Sequence, residues 1–206
     1  MVKSLLLVFV KYPVPGQVKT RLAADLGAEA ATEVYREMVT RVLQRIPRRQ
    51  AVRVVFDGRQ AEADYRAWLA NDLGKEAEFR AQAEGDLGRR LENAFAEAFA
   101  DGWQAVGVIG SDCLELNEEI YEDAWGKLRA ADLVIGPSHD GGYYFLALKK
   151  PAPSLFADIS WSTEKVFEQT LCAAVGAGLV SLELTKLHDV DTLADWERAR
   201  AAGGPG

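Results

Sequence analysis

The sequence has few of the residues that cross-link small folds or span membranes. Its two cysteines, Cys113 and Cys172, provide neither a disulfide framework nor a metal-ligand spacing. We therefore expect a reducing, cytoplasmic location. No apolar run approaches the roughly 18 residues that a membrane span needs. The apolar start of the chain ends at Lys11 without a small-residue cleavage site, which favours a first strand over a signal peptide.

Basic charge is also scarce, since the formal net charge is −7. This argues against nucleic acid as a partner, because a phosphate backbone needs a basic face. One anionic metabolite held by a local basic loop is still compatible with the composition. We expect small-molecule ligands, no nucleic acid and no membrane, and a monomer or homodimer.

Two phosphate-binding motifs are absent, G-x-x-x-x-G-K-[ST] and G-x-G-x-x-G. The segment after the first apolar run, residues 11–21, still favours phosphate binding by its position. It carries Pro15 and Gly16, then Lys19, Thr20 and Arg21 at the start of a helical pattern. Backbone N–H groups and two cations there can face phosphate oxygens. A solvated turn with surface charges is the alternative.

Apolar periodicity predicts strands alternating with helices along the whole chain. Strands are expected over 4–10, 51–56, 76–81, 105–109, 132–136, 143–148 and 179–184. After a short first helix that ends at Gly27, helices are expected over 28–45, 59–73 (stopped by Gly74), 89–100, 117–130, 163–175 and 193–201. This order predicts a mostly parallel α/β sheet. Residues 133–135 and 143–148 are joined too tightly for a crossover, so at least one strand should be antiparallel. We expect one domain over 1–200 and a frayed tail over 201–206.

The apolar run in QAVGVIGSDC predicts a buried central strand that stops at Ser111 and Asp112. Ligands of open α/β sheets bind beyond the carboxyl ends of the strands. The Asp112 carboxylate is therefore a candidate ligand for Mg²⁺ or Mn²⁺, which prefer hard oxygen donors. Capping of the next helix is the alternative, although Asn117 is better placed for that.

A second pair of carboxylates, Asp189 and Asp191, follows the last predicted strand. Alternation places both on one side of an extended segment, where they repel each other unless a cation joins them. Alternatively, Asp191 or Thr192 caps the final helix.

The turn SHDGGYY offers close backbone approach at Gly141 and Gly142, and Asp140 as an acceptor or base. An Asp-Gly hairpin turn explains the same residues. Two weaker candidates are Gly85-Asp86, which either faces a nucleotide or caps a helix, and Trp161, which either covers the substrate or packs.

Taken in order, six motifs resemble the DUF2064 family of glycosyltransferase-like proteins: FVKYPVPGQVKTRLAADLG, GDLGRRL, VIGSDCLEL, IGPSHDGGYYFLAL, FADISWST and HDVDTLADW. The resemblance runs from about Leu5 to Trp196. The chain is also distantly similar to molybdenum-cofactor and phospholactate guanylyltransferases. It departs from the family at Leu114, where the family usually has proline, which is expected to alter the following loop without removing Asp112.

The resemblance implies a GT-A type, Rossmann-like three-layer α/β/α fold with a mixed, mostly parallel sheet. It implies a metal-dependent glycosyltransferase that uses a nucleotide-diphospho-sugar. A nucleotidyltransferase that takes an NTP and releases pyrophosphate is the alternative, and an inactive nucleotide-binding scaffold is a third.

The site residues fall into four groups. Nucleotide binding is assigned to Lys11, Pro15, Gly16, Lys19, Thr20, Arg21, Gly85, Asp86, Ser111 and Asp112. Acceptor binding is assigned to Asp140, Gly141, Gly142, Tyr143 and Trp161. The catalytic candidates are Asp112, Asp140, Lys19 and Arg21. The ligands of Mg²⁺ or Mn²⁺ are Asp112 with Asp189 or Asp191.

Overall fold

The computed structural model describes residues 3–73 and 76–202. Within those ranges seven strands form one mixed sheet, in the order β3-β2-β1-β4-β6-β5-β7. The strands are β1 (Ser4–Val10), β2 (Ala51–Phe56), β3 (Glu78–Ala81), β4 (Ala105–Ile109), β5 (Leu133–Pro137), β6 (Tyr143–Leu148) and β7 (Ser181–Glu183). The helices are α1 (Thr20–Leu26), α2 (Ala28–Gln44), α3 (Glu62–Leu69), α4 (Leu87–Ala100), α5 (Glu118–Leu128), α6 (Val166–Gly176) and α7 (Leu193–Ala202).

Both faces of the sheet are covered by helices, which explains why the central strands are continuous apolar runs. Every residue of β4 and β5 is buried. Apolar residues of α1, α2, α3, α5 and α7 form the core on one face. Those of α4 and α6 form the core on the other face, with the 3₁₀ turn Pro153–Leu155. The predicted three-layer α/β/α fold is therefore confirmed.

Strand direction brings the candidate loops to one edge. β1 pairs in parallel with β2 and β4, β2 with β3, and β5 with β7. β6 is antiparallel to both β4 and β5, as the short connection between β5 and β6 predicted. The segments that follow β1, β4, β5 and β7 therefore leave the same edge of the sheet, where ligands of open α/β sheets bind.

Several element boundaries differ from the predicted ones, and local hydrogen bonds explain the late start of α6. α6 begins at Val166 instead of residue 163, because Ser162 has a φ of 63° and the Thr163 hydroxyl donates to the Ser160 carbonyl at 2.7 Å. α3 covers Glu62–Leu69, and the predicted stop at Gly74 lies outside the described residues. α7 continues to Ala202, and the rest of the predicted tail also lies outside them. Among the described helices, none is both long enough and apolar enough to cross a membrane.

Candidate active site

Lys19 lies at the centre of the edge formed by the carboxyl ends of the strands. It is the N-cap residue of α1 in a left-handed conformation, with a φ of 46°. Its side chain is 6% exposed, and Nζ lies 2.9 Å from Asp112 Oδ1 and 3.1 Å from Asp191 Oδ1. Nζ also donates to the Val190 carbonyl at 2.6 Å. The loops after β1, β4 and β7 thus meet at one ammonium group.

The surroundings of Lys19 keep it charged. Burial alone lowers the pKa of the ammonium, but the charges of Asp112 and Asp191, and the hydrogen bonds to them, outweigh burial. The net effect is a pKa above the ordinary value for lysine. The sequence assigned Lys19 to phosphate, whereas the structure directs it to two carboxylates.

Arg21 is the cation that points outwards. Its side chain is 76% exposed, and Nη1 lies 3.5 Å from Asp191 Oδ2. Lys11 is exposed at the start of the same loop, whose backbone is fixed by Tyr35: the Tyr35 hydroxyl accepts from Lys11 N at 3.0 Å. Pro15 and Gly16 are exposed in the turn between them. The loop therefore presents cations to solvent at both ends.

Asp112 does not cap α5, because that role belongs to Asn117, whose side chain accepts from Ile120 N at 3.0 Å. The Asp112 carboxylate instead contacts Lys19 and accepts a hydrogen bond from Ser111 Oγ at 3.3 Å. Its main-chain carbonyl accepts from Val190 N at 2.9 Å. This bond joins the loop after β4 to the segment after β7.

Thr192, and not Asp191, caps the last helix. Thr192 Oγ1 accepts from Asp195 N at 3.3 Å, and Asp195 Oδ2 accepts from Thr192 N at 2.9 Å. These reciprocal bonds form a capping box. The carboxylate of Asp191 is not used by the helix, and it pairs with Lys19 and Arg21.

Asp189 differs from the other carboxylates at this edge. It is half-buried, and no ion pair to it is found within residues 3–73 and 76–202. Burial, followed by the charges of Asp112 and Asp140, raises the pKa of Asp189 to about 7. Ser138 and Lys19 oppose that rise only in part. Asp189 thus lies in a negative field without a cation of its own.

Asp140 lies in the turn between β5 and β6. Its Oδ1 accepts from Gly142 N at 2.9 Å and from Ser138 Oγ at 2.5 Å. These bonds are those of a tight Asp-Gly hairpin turn, and the same turn brings Asp140 close enough to act on Asp189. The motif is therefore an Asp-Gly hairpin turn, and the same turn places the Asp140 carboxylate at the candidate site.

Negative side chains outnumber positive ones at this edge, which suits a divalent cation. Four carboxylates, those of Asp112, Asp140, Asp189 and Asp191, face two cations, Lys19 and Arg21. Within the described ranges, no three histidine, cysteine or carboxylate side chains are grouped so that they could hold a metal by themselves. Mg²⁺ is commonly bound by one or two carboxylates together with substrate phosphates. The donor set at this edge fits that kind of site.

Capping or packing contacts account for the remaining candidates. Asp86 is the N-cap of α4 and accepts from Arg89 N at 2.8 Å. Trp161 packs edge to face against Tyr143, with ring centroids 6.5 Å apart. The Tyr143 hydroxyl is buried and finds no hydrogen-bond partner among the described residues.

Sequence reasoning missed the two histidines. The rings of His139 and His188 are stacked with centroids 3.9 Å apart, and His188 Nδ1 lies 3.1 Å from Glu115 Oε1. The available signal was the dipeptide His-Asp, which occurs twice, as His139-Asp140 and His188-Asp189.

Residues 39–163 match the family DUF2064, described as "Uncharacterized protein conserved in bacteria". The chain belongs to this family. A crystal structure from Desulfovibrio desulfuricans G20, provisionally named a nucleotide-diphospho-sugar transferase, is 34% identical with a TM-score of 0.91, over 100% of this chain and 90% of that one. Together these matches confirm the resemblance that the motifs suggested.

More distant structures share the fold. CMP:2-keto-3-deoxy-manno-octonic acid synthetase in complex with CTP has a TM-score of 0.60 at 12% identity, over 98% of both chains. A Mycobacterium tuberculosis H37Rv protein in complex with manganese has a TM-score of 0.58 at 13% identity, over 96% of this chain and 98% of that one. No curated protein matches the chain. The 34% identical relative is named as a transferase, which agrees with the transferase predicted from the sequence.

Proposed function

We propose that the protein is a divalent-cation-dependent glycosyltransferase, which moves a sugar from a nucleotide-diphospho-sugar to a small-molecule acceptor. One observation carries the proposal: among the residues that the structure describes, no cation pairs with Asp189, which lies in the field of Asp112 and Asp140 at the ligand-binding edge of the sheet. The 34% identical relative, which bears the name of this enzyme class, supports it.

The cation would be held by Asp112 and Asp189, with Mg²⁺ or Mn²⁺ as the candidates. Asp191 is the weaker candidate because Lys19 and Arg21 already neutralise it. When bound, the cation would supply Lewis-acid charge to a diphosphate leaving group. Lys19 holds Asp112 and Asp191 in place, so that these carboxylates keep their arrangement before the cation binds.

The other residues have roles that follow from their exposure. Arg21 and Lys11, at the two ends of the loop after β1, orient the diphosphate by charge-assisted hydrogen bonds. Asp140 faces the acceptor from the β5–β6 turn and either orients an acceptor hydroxyl or takes its proton. Gly141 packs against the backbone of Glu164, where a Cβ would overlap the Glu164 carbonyl, so we expect the acceptor to meet this turn at Asp140 instead of at the glycine backbone.

Nucleotidyl transfer is the second candidate, because the fold is shared with a synthetase that binds CTP. In that reaction the same loop would hold the β- and γ-phosphates of an NTP, and pyrophosphate would leave. The two reactions differ in the ligand that stabilises the protein and in the product.

Thermal unfolding with nucleotides tests the proposal, since a ligand that binds only the folded state raises its stability. We expect NDP-sugars with Mn²⁺ to raise the unfolding temperature more than NTPs do, and NDP to be released when an acceptor is added. Stabilisation by NTPs with release of pyrophosphate would select nucleotidyl transfer. Stabilisation by nucleotides without release of NDP or pyrophosphate would favour an inactive nucleotide-binding scaffold.

One variant and a matched control test the assignment of Asp112 as a metal ligand. Asp112→Asn should abolish the Mn²⁺-dependent part of the stabilisation while the protein still folds. Asp64→Asn, at an exposed carboxylate of α3, is the matched control and should behave like the wild type. Undiminished Mn²⁺ dependence in Asp112→Asn would refute the metal assignment.

A further inference from the structure

The two histidines of the chain connect two of the candidate loops. His139 precedes Asp140 in the turn after β5, and His188 precedes Asp189 in the segment after β7. Their rings lie 3.9 Å apart, centroid to centroid, with an interplanar angle of 14°. The side-chain contact therefore joins the two loops at the residue next to each carboxylate.

The loop after β4 joins the same arrangement through Glu115, whose Oε1 lies 3.1 Å from His188 Nδ1. Glu115 is in the loop that begins with Asp112. Glu115, His188 and His139 thus form a continuous row, here called the histidine stack. Each member of the row lies on a different loop, and these loops carry Asp112 (with Glu115), Asp189 and Asp191 (with His188) and Asp140 (with His139).

Main-chain hydrogen bonds alone do not explain this row. His139 N donates to the Leu187 carbonyl at 3.0 Å, and Val190 N donates to the Asp112 carbonyl at 2.9 Å. These bonds hold the backbones of the loops together, whereas the histidine stack joins their side chains. The side chains of His188 and Glu115 are 40% and 45% exposed, so their pairing adds little to folding stability.

We propose that the histidine stack positions Asp112 and Asp189 relative to each other for cation binding and holds the turn of Asp140 beside them. The proposal rests on the metal-dependent function argued above. His139, His188 and Glu115 are positioning residues, since they act through the loops and not on the substrate. Loss of groups that orient metal ligands commonly weakens metal affinity by about 10- to 100-fold.

The test is the affinity of the protein for Mn²⁺ in the presence of a saturating NDP, measured by isothermal titration calorimetry. We expect His139→Ala and His188→Ala each to raise the Kd by about tenfold without a change in unfolding temperature. His139→Phe keeps a flat ring over His188, so it should restore wild-type affinity. His188→Phe keeps the stacking but loses Glu115, so it should give an intermediate Kd.

Thr185→Ala is the matched control in the same segment, because only the carbonyl of Thr185 is used, by the Tyr144 hydroxyl. It should bind Mn²⁺ as the wild type does. Wild-type Kd values in both alanine variants would overturn the positioning role, as would weakened binding that His139→Phe does not restore. A wild-type protein that binds no Mn²⁺ in the presence of NDP would instead reject the proposed metal site on which the role depends.

Discussion

The ammonium of Lys19 lies 2.9 Å from Oδ1 of Asp112 and is almost completely enclosed. Its charge therefore pairs with carboxylates of the protein and is not directed at a phosphate of the ligand. Lys19 neutralises Asp112 and Asp191, while no cation among the described residues pairs with Asp189. This arrangement separates the structural cation of the site from the exposed cation, Arg21, which is free to meet a ligand.

Lys19→Met should destabilise the protein by about 1–3 kcal/mol, because it leaves two partly buried carboxylates without their shared partner. Urea unfolding measures this loss. Arg21→Met, at a largely exposed side chain, is the matched control and should change the stability by less than about 0.5 kcal/mol. Equal losses in the two variants would contradict the division of roles between these cations.

Arg21→Ala should weaken nucleotide binding by about tenfold, since a charge-assisted hydrogen bond to phosphate is lost. Titration of an NDP-sugar in the presence of Mn²⁺ measures the effect. Arg129→Ala removes an exposed arginine after α5 and provides the control for net charge. If both variants lose affinity equally, overall charge and not the loop after β1 is what attracts the nucleotide.

The strands at the centre of the fold could be predicted because apolar runs and turn residues delimit them. β1, β2 and β6 have the predicted bounds. The direction of a charged side chain could not be predicted in the same way. Arg53 is 2% exposed within β2 and pairs with Glu78 and Asp101, which lie in other elements. Periodicity shows a charge at a strand position but not the partners that allow its burial.

The same holds for the candidate site: its positions along the chain could be predicted, but the partners of its charged side chains could not. The sequence identified Asp112, Asp189 and Asp191 because each follows a predicted strand, and parallel strands end at one edge. It could not show which carboxylate lacks a cation, because Lys19 is far from its partners along the chain. The contact between His139 and His188 was hidden for the same reason.

Gly88→Ala should destabilise the protein by about 1–3 kcal/mol, because the new methyl group would overlap neighbouring atoms. A Cβ at this position lies 2.5 Å from Trp161 Nε1 and meets the Phe156 carbonyl. The substitution should therefore also displace the segment that carries Trp161, and its indole fluorescence should change.

Gly126→Ala in α5 is the matched control for a glycine within a helix. A Cβ at Gly126 meets nothing within 4 Å, so alanine should be neutral or stabilise by about 0.5–1 kcal/mol. A stable Gly88→Ala protein with unchanged fluorescence would show that the segment around Trp161 can move away from α4 at little cost.

Asp189→Asn should stabilise the metal-free protein at pH 8 and at the same time remove its response to Mn²⁺. In the folded protein the pKa of Asp189 is raised to about 7 from the model-compound value of 3.8. The folded state therefore binds the proton more tightly than the unfolded state. From this group alone, stability falls as the pH rises between those two values and stays lowered above them.

Asparagine carries no charge, so the variant escapes this penalty, and we expect it to gain about 1–3 kcal/mol at pH 8. At pH 3 the wild-type carboxyl is protonated in both states, and the gain should disappear. Urea unfolding at the two pH values measures the difference. A variant that is less stable than the wild type at pH 8 would show that Asp189 has a cationic partner in the metal-free protein. The predicted gain, together with a lost Mn²⁺ response, would mean that Asp189 is retained for binding at a cost in stability.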